Sequence, residues 1–182
     1  VVEPFRTDVL KEILRTYSPG YTQEDLLALW TFTGGVAKYV ELLMDTGSYS
    51  REAMLKTMIR ANSLFLDEGR AVLVEEFDKE YGVYFSILCA ISRGKTTRSE
   101  IEQTVGRAVG GYLARLEDDY ALIRKHQPIF AKPSAKTARY ELDDRFLSFW
   151  FRFVYRYSYI VELKGFDQLR KRVARDYDVF SG

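Results

Sequence analysis

Residues 84–126 read "YFSILCAISRGKTTRSEIEQTVGRAVGGYLARLEDDYALIRKH", and how this stretch divides decides the fold. Tyr84, Ile87, Leu88 and Ile91 recur at helical spacing until Gly94 stops the pattern. "TRSE", Thr97 to Glu100, has the form of a capping box, in which a hydroxyl takes the third backbone N–H and an acid reaches back. It opens a second short helix through Ile101 and Val105. A third, Arg107 to Asp119, turns Val109, Tyr112, Leu113 and Leu116 inward. "ALIRKHQPIF" and "TARYEL" then predict two strands joined by the basic, proline-containing "AKPSAK". Three helices followed by a hairpin predict a winged helix-turn-helix over residues 79–143.

Upstream, residues 1–78 predict a small all-helical unit. Leu10, Ile13, Leu14 and Tyr17 mark a first helix; Thr22 caps a second, carrying Leu26, Leu29 and Trp30, which Gly34 and Gly35 break. Val36, Tyr39, Val40 and Leu43 mark a third. Ser50 starts a fourth, with Met54, Leu55, Met58, Ile59 and Phe65 as one apolar series. Downstream, residues 144–182 predict a helical extension that packs on the preceding domains. It begins with "DDRFLSFWFRFVYRYSYI", residues 143–160. Arg145, Arg152 and Arg156 interrupt this run, so it falls short of the ~20 apolar residues of a membrane span. On a helical wheel Phe146, Phe149, Trp150, Phe153, Tyr157 and Ile160 form one face, and Phe151, Tyr155 and Tyr159 a second. Two apolar faces predict a buried helix. A platform for single-stranded nucleic acid, which needs exposed rings beside cations, is the competing reading.

The 27 Lys and Arg nearly cancel the 26 Asp and Glu. Their distribution is uneven: net charge is −5 over residues 1–92, +5 over 93–139 and +1 over 140–182. A basic middle segment suits an anionic partner. The single Cys89 excludes an intrachain disulfide and lies in an apolar run, and the start lacks the sections of a signal peptide, so a cytoplasmic location is expected. The single His126 argues against a multi-histidine metal site or a histidine triad. "RGKTT", Arg93 to Thr97, imitates the end of a P-loop, but Cys89 stands where the motif needs its first glycine. Asp143 and Asp144 read as a cap and a first-turn acid. No active site is expected in this segment, which is not read as an enzyme.

"TFTGGVAKYVELL", "YFSILCAISRGKTTRSEIEQTVG", "YLARLEDDYALIRKHQPIF" and "ARYELDDRFLSFWFRFVY" together resemble the region that follows the nucleotide-binding core in archaeal and bacterial P-loop ATPases of the AAA+/STAND kind. The resemblance implies a helical lid, then a winged helix, then in many members a nuclease-like domain. It places Gly34, Gly35 and Tyr39 in the lid element near bound nucleotide, with Lys38 beside them. Ala37 stands where the family usually has proline. Tyr140, Asp144, Phe149, Trp150 and Phe153 match the element that leaves the wing. No cofactor is implied for this segment; ATP and magnesium belong to a core before Val1. The implied partners are that core and the nuclease-like domain of the same polypeptide.

Two roles stay open for the winged helix. In one it binds double-stranded DNA, with Arg107 and Arg115 of the third helix toward the major groove, Lys132, Lys136 and Arg139 of the wing on phosphate or minor groove, and Arg98 as a further contact. Gly110, Gly111 and Ala114 offer few base-reading groups, so that binding is expected to be weak. In the other it is a protein-interaction segment that transmits nucleotide state.

Overall fold

The computed structural model describes residues 3–127 and 138–181. The chain is mainly helical, with one small antiparallel sheet of two strands. It divides into two compact units: Val1–Glu68 with Phe153–Gly182, and Gly69–Arg152.

The first unit begins with α1 (Thr7–Tyr17), which buries Leu10 and Leu14. In α2 (Gln23–Thr33) the Thr22 hydroxyl accepts the Asp25 N–H while the Asp25 side chain accepts the Thr22 N–H. Gly34 ends that helix at φ +60°, a left-handed conformation that glycine adopts without cost from a Cβ. α3 (Ala37–Asp45) buries Tyr39, Val40, Leu43 and Met44. The Ser50 hydroxyl caps α4 (Arg51–Met58), but this helix does not run on to Phe65. The chain turns between Ile59 and Ser63, with Asn62 at φ +58°, and resumes as α5 (Leu64–Phe77). One expected helix is therefore two. Asn is one of the few residues that enter the left-handed region readily, and the apolar spacing alone does not register that turn.

In the second unit, a 3-10 turn at Asp78–Glu80 leads into α6 (Tyr81–Ser92), which buries Tyr84, Ile87, Leu88, Cys89, Ala90 and Ile91. The Thr97–Glu100 capping box opens α7 (Arg98–Val105), and Gly106 closes it at φ +78°. α8 covers Gly110–Asp118, so Arg107 lies in the connection before the helix and not within it. The reason is local: the side chain of Glu102 takes the Val109 N–H at 3.1 Å, which fixes the chain just ahead of the first turn. β1 (Ile123–His126) pairs with β2 (Arg139–Leu142), His126 opposite Arg139 and Ile123 opposite Leu142. On the other side of β2, Thr97 and Arg139 form an isolated bridge, and Tyr140 N–H donates to the Thr96 carbonyl at 2.8 Å.

The aromatic run is not one α-helix. Asp144 caps α9 (Arg145–Phe149) by accepting the Leu147 N–H at 2.8 Å. The backbone then widens into a π-helix over Trp150–Tyr155, turns, and continues as α10 (Ser158–Glu162) and α11 (Phe166–Ser181). The wider turn shifts the face by a fraction of a revolution. As a result Phe149, Trp150, Phe151, Phe153 and Val154 are all 5% exposed or less, whereas Tyr159 is 52% exposed. Trp150 and Phe151 pack with Phe85 in the second unit; Phe153 meets Phe180 in the first, its ring 5.2 Å away.

Candidate functional site

The glycine element of the first unit is built around its own chain. Thr33 Oγ1 donates back to the Leu29 carbonyl at 2.6 Å and accepts the Gly35 N–H at 3.1 Å. Gly35, at φ +78°, accepts the Phe5 N–H on its carbonyl at 2.7 Å. A Cβ at position 35 would stand closer than 3.0 Å to the Phe5 carbonyl oxygen. The close approach that adjacent glycines permit is thus made by the backbone of Phe5. Lys38 reaches Glu68, Nζ to Oε1 2.6 Å, and the Tyr39 hydroxyl donates to the same oxygen at 3.1 Å. The Glu68 side chain is only 12% exposed, so these two donors offset the desolvation of its charge. A groove of about 500 Å³ also lies in this unit, bounded by Phe32 of α2, Arg51, Leu55 and Lys56 of α4, and Lys171 and Tyr177 of α11. Gly34, Gly35 and Lys38 do not line it.

In the second unit the expected DNA-facing arginines are largely engaged at home. Arg98 Nε donates to Glu102 Oε1 at 2.8 Å, and its guanidinium lies over the start of α8, where a Cβ at Gly110 would be 2.9 Å from Cζ. Glu102 therefore holds Arg98 and the Val109 N–H with one carboxylate; its pKa is held below the usual range first by the Arg98 hydrogen bond and then by Val109. Arg115 folds back along α8 onto Glu80, Nη1 to Oε2 3.2 Å, and its guanidinium sits 5.6 Å from the Tyr84 ring and 5.2 Å from the Tyr112 ring. Arg107 also lies over the Tyr112 ring, 5.3 Å from its centroid, and has no carboxylate partner among the described residues. Arg139 Nη1 donates to Thr96 Oγ1 at 2.9 Å. Lys132 and Lys136 lie outside the described residues. Along α8 the exposed positions are Gly111, Ala114, Arg115 and Asp118, a surface with one cation and few groups able to read a base edge.

His126 is half exposed and pairs with Glu141 across the hairpin, Nε2 to Oε1 2.6 Å. Asp143 pairs with Arg124 at 2.8 Å. Burial pushes the Cys89 thiol above its usual value, as befits an unreactive core thiol. Burial likewise raises the Asp144 carboxyl, against the Leu147 and Phe146 N–H groups that favour its ionised form. Among the described residues no group of three or more His, Cys, Asp or Glu gathers as a metal site, and no helix is long and apolar enough to cross a membrane. The carboxylate partners Glu68, Glu80 and Glu102 were not singled out in the sequence. Glu102 carries a legible signal, its i,i+4 spacing from Arg98. Glu80 and Glu68 do not, being 35 and 30 residues from the cations they meet.

No family model matches the chain. A search of curated proteins finds a relative in Methanocaldococcus jannaschii, the uncharacterized protein MJECL04, 26% identical across the whole of this chain. The chain spans 39% of that relative's length. No solved structure matches.

Proposed function

We propose that this chain is the lid and winged-helix segment of a larger P-loop ATPase, and that its second unit works through protein contacts, coupling nucleotide state in a core outside this segment to its partners. Three features support the segment reading. The helix order α6, α7, α8 followed by a hairpin suits a winged helix-turn-helix. The Thr97–Arg139 bridge supplies the additional strand contact such a unit makes ahead of its second helix. The relative's greater length leaves room for a core and for a further, nuclease-like domain. In this reading the segment itself is non-catalytic, ATP and magnesium are held by the core, and the whole works in the cytoplasm.

The observation that carries the choice of role is the pairing of Arg115 with Glu80 and of Arg98 with Glu102, together with the Arg139 hydrogen bond to Thr96. A groove-reading helix presents its cations outward to phosphate and base edges. Here each of those three is turned to a partner in its own unit. Double-stranded DNA is therefore the less well supported partner. Hydrogen exchange on the full-length protein, with and without ATP and magnesium, tests the coupling. Protection is expected to change with nucleotide across α3 and across α6 to α8. Protection in these helices that is the same in both states contradicts the proposal.

A further inference from the structure

The end of the aromatic run and α11 carry an excess of positive charge. From Arg152 to Ser181 the sequence holds seven Lys or Arg against four Asp or Glu, namely Glu162, Asp167, Asp176 and Asp178. Some of these charges are neutralised locally: Arg170 pairs with Asp167, and Arg175 with Asp176 at 2.7 Å. Two are not. Arg156, in the turn after the π-helix, and Arg172, on α11, both stack on the ring of Tyr157, with guanidinium carbons 5.8 and 5.1 Å from its centroid. Neither has a carboxylate partner among the described residues. Two like charges are thereby gathered on one ring at a surface, which costs repulsion unless an anion is shared between them.

A guanidinium placed over a ring, with no carboxylate partner, keeps N–H donors for an oxyanion. Tyr157 thus orders two such donor sets in advance, which lowers the entropy cost of engaging phosphate. Beside it stands Tyr159, 52% exposed, its ring 6.4 Å from that of Tyr157 and inclined to it at 66°. An exposed ring next to unneutralised guanidinium groups is the arrangement that takes an unstacked base together with its backbone phosphate.

We propose that Arg156, Tyr157, Tyr159 and Arg172 form a binding surface for single-stranded nucleic acid. Phosphates bridge the two guanidinium groups, and a base stacks on Tyr159. A duplex offers the phosphates but keeps its bases stacked inside, and an acidic peptide offers neither base nor regular phosphate spacing. The surface lies in the first unit and involves none of the residues on which the proposed role of the second unit rests.

The test is fluorescence anisotropy on the whole chain at low salt with a labelled oligothymidine of about twelve nucleotides, within the range such sites occupy. An abasic phosphodiester of the same length and polyglutamate serve as comparison ligands. The surface predicts that oligothymidine binds at least about 5-fold more tightly than the abasic strand, as stacking of one base provides. Tyr159→Ala should remove that preference while leaving abasic binding unchanged. Arg156→Ala with Arg172→Ala should weaken oligothymidine binding about 10-fold or more, because two phosphate contacts are lost. Melting curves of the variants, all at surface positions, check that the fold is retained. Equal binding of the abasic strand or of polyglutamate, an unaffected double variant, or no binding at low salt each overturns the proposal.

Discussion

Gly69 lies directly beneath the indole of Trp150: a Cβ at position 69 would stand closer than 3.0 Å to Cγ, Cδ2 and Cε2 of that ring. The glycine sits within α5, where on propensity alone it is the poorer choice. Its role is to admit a ring that is 3% exposed. Gly69→Ala should destabilise by about 1–3 kcal/mol through overpacking, and Trp150→Ala by about 3–5 kcal/mol through loss of the buried ring. The two are coupled with a change of sign: in the Trp150→Ala background, Gly69→Ala should be neutral or stabilising by up to about 1 kcal/mol, the helix-propensity gain. Denaturant unfolding of the four proteins of this cycle measures it.

Asp25 serves two helix starts at once. Its Oδ2 takes the Thr22 N–H and hydroxyl, each at 2.8 Å, and its Oδ1 takes the Arg51 N–H of α4 at 2.8 Å. Burial pushes this carboxyl up, but the backbone bonds from Thr22 and Arg51, the Thr22 hydroxyl and the Arg51 charge outweigh it, and the pKa ends below the ordinary 3.8. A depressed folded pKa gives stability that is present above the unfolded value and is lost as pH falls through the folded one. Asp25→Ala should therefore cost about 1–2 kcal/mol at neutral pH, and thermal melts near about pH 2 should show the difference from wild type shrinking.

Asp144 is the opposite case. Its pKa is raised, chiefly by burial, so the protonated form is favoured by folding. Its contribution is fully present below the unfolded pKa and is lost as pH rises through the folded one. Asn caps helices as well as Asp does and carries no charge. Asp144→Asn should accordingly match wild type in acid and become the more stable protein as pH rises to neutrality, as read from melting temperatures across that range.

Gly35 combines a positive φ with the close Phe5 carbonyl. Gly35→Ala should destabilise the chain by more than about 1 kcal/mol, from backbone strain and displacement of the Phe5 segment together. Gly47, also at positive φ but with nothing near a Cβ, should lose less on the same substitution. Paired unfolding curves compare them.

Much of this architecture is written locally. Thr22 and Thr97 announce their helices because a capping box is a four-residue event, and Gly34 and Gly106 announce the ends because a left-handed cap favours one residue type. The paired strands Ile123–His126 and Arg139–Leu142 fall within the strand-like runs "ALIRKHQPIF" and "TARYEL". The turn at Asn62 is hidden because apolar spacing continues across it, and the π-helix at Trp150 because no residue type specifies one. The candidate site was legible only as residue types. Whether Arg115 points to a groove or to Glu80 depends on a carboxylate 35 residues away, brought close by packing, and sequence spacing does not encode it. The Arg156–Tyr157–Arg172 stack is of the same kind, since α11 must fold back before its arginine reaches the ring.

In the proposed role the cations of the second unit, Arg107, Arg115 and Arg139 among them, do not read DNA. The most direct measurement is duplex binding by fluorescence anisotropy over a salt series, for wild type and for a variant with Arg107→Ala, Arg115→Ala and Arg139→Ala together, both checked by melting. Affinity at low salt is expected to agree within about 2-fold, with the same slope of log K against log salt. A loss of about 10-fold or more, with a slope shallower by about 2 to 3 as expected when three phosphate contacts disappear, would contradict it.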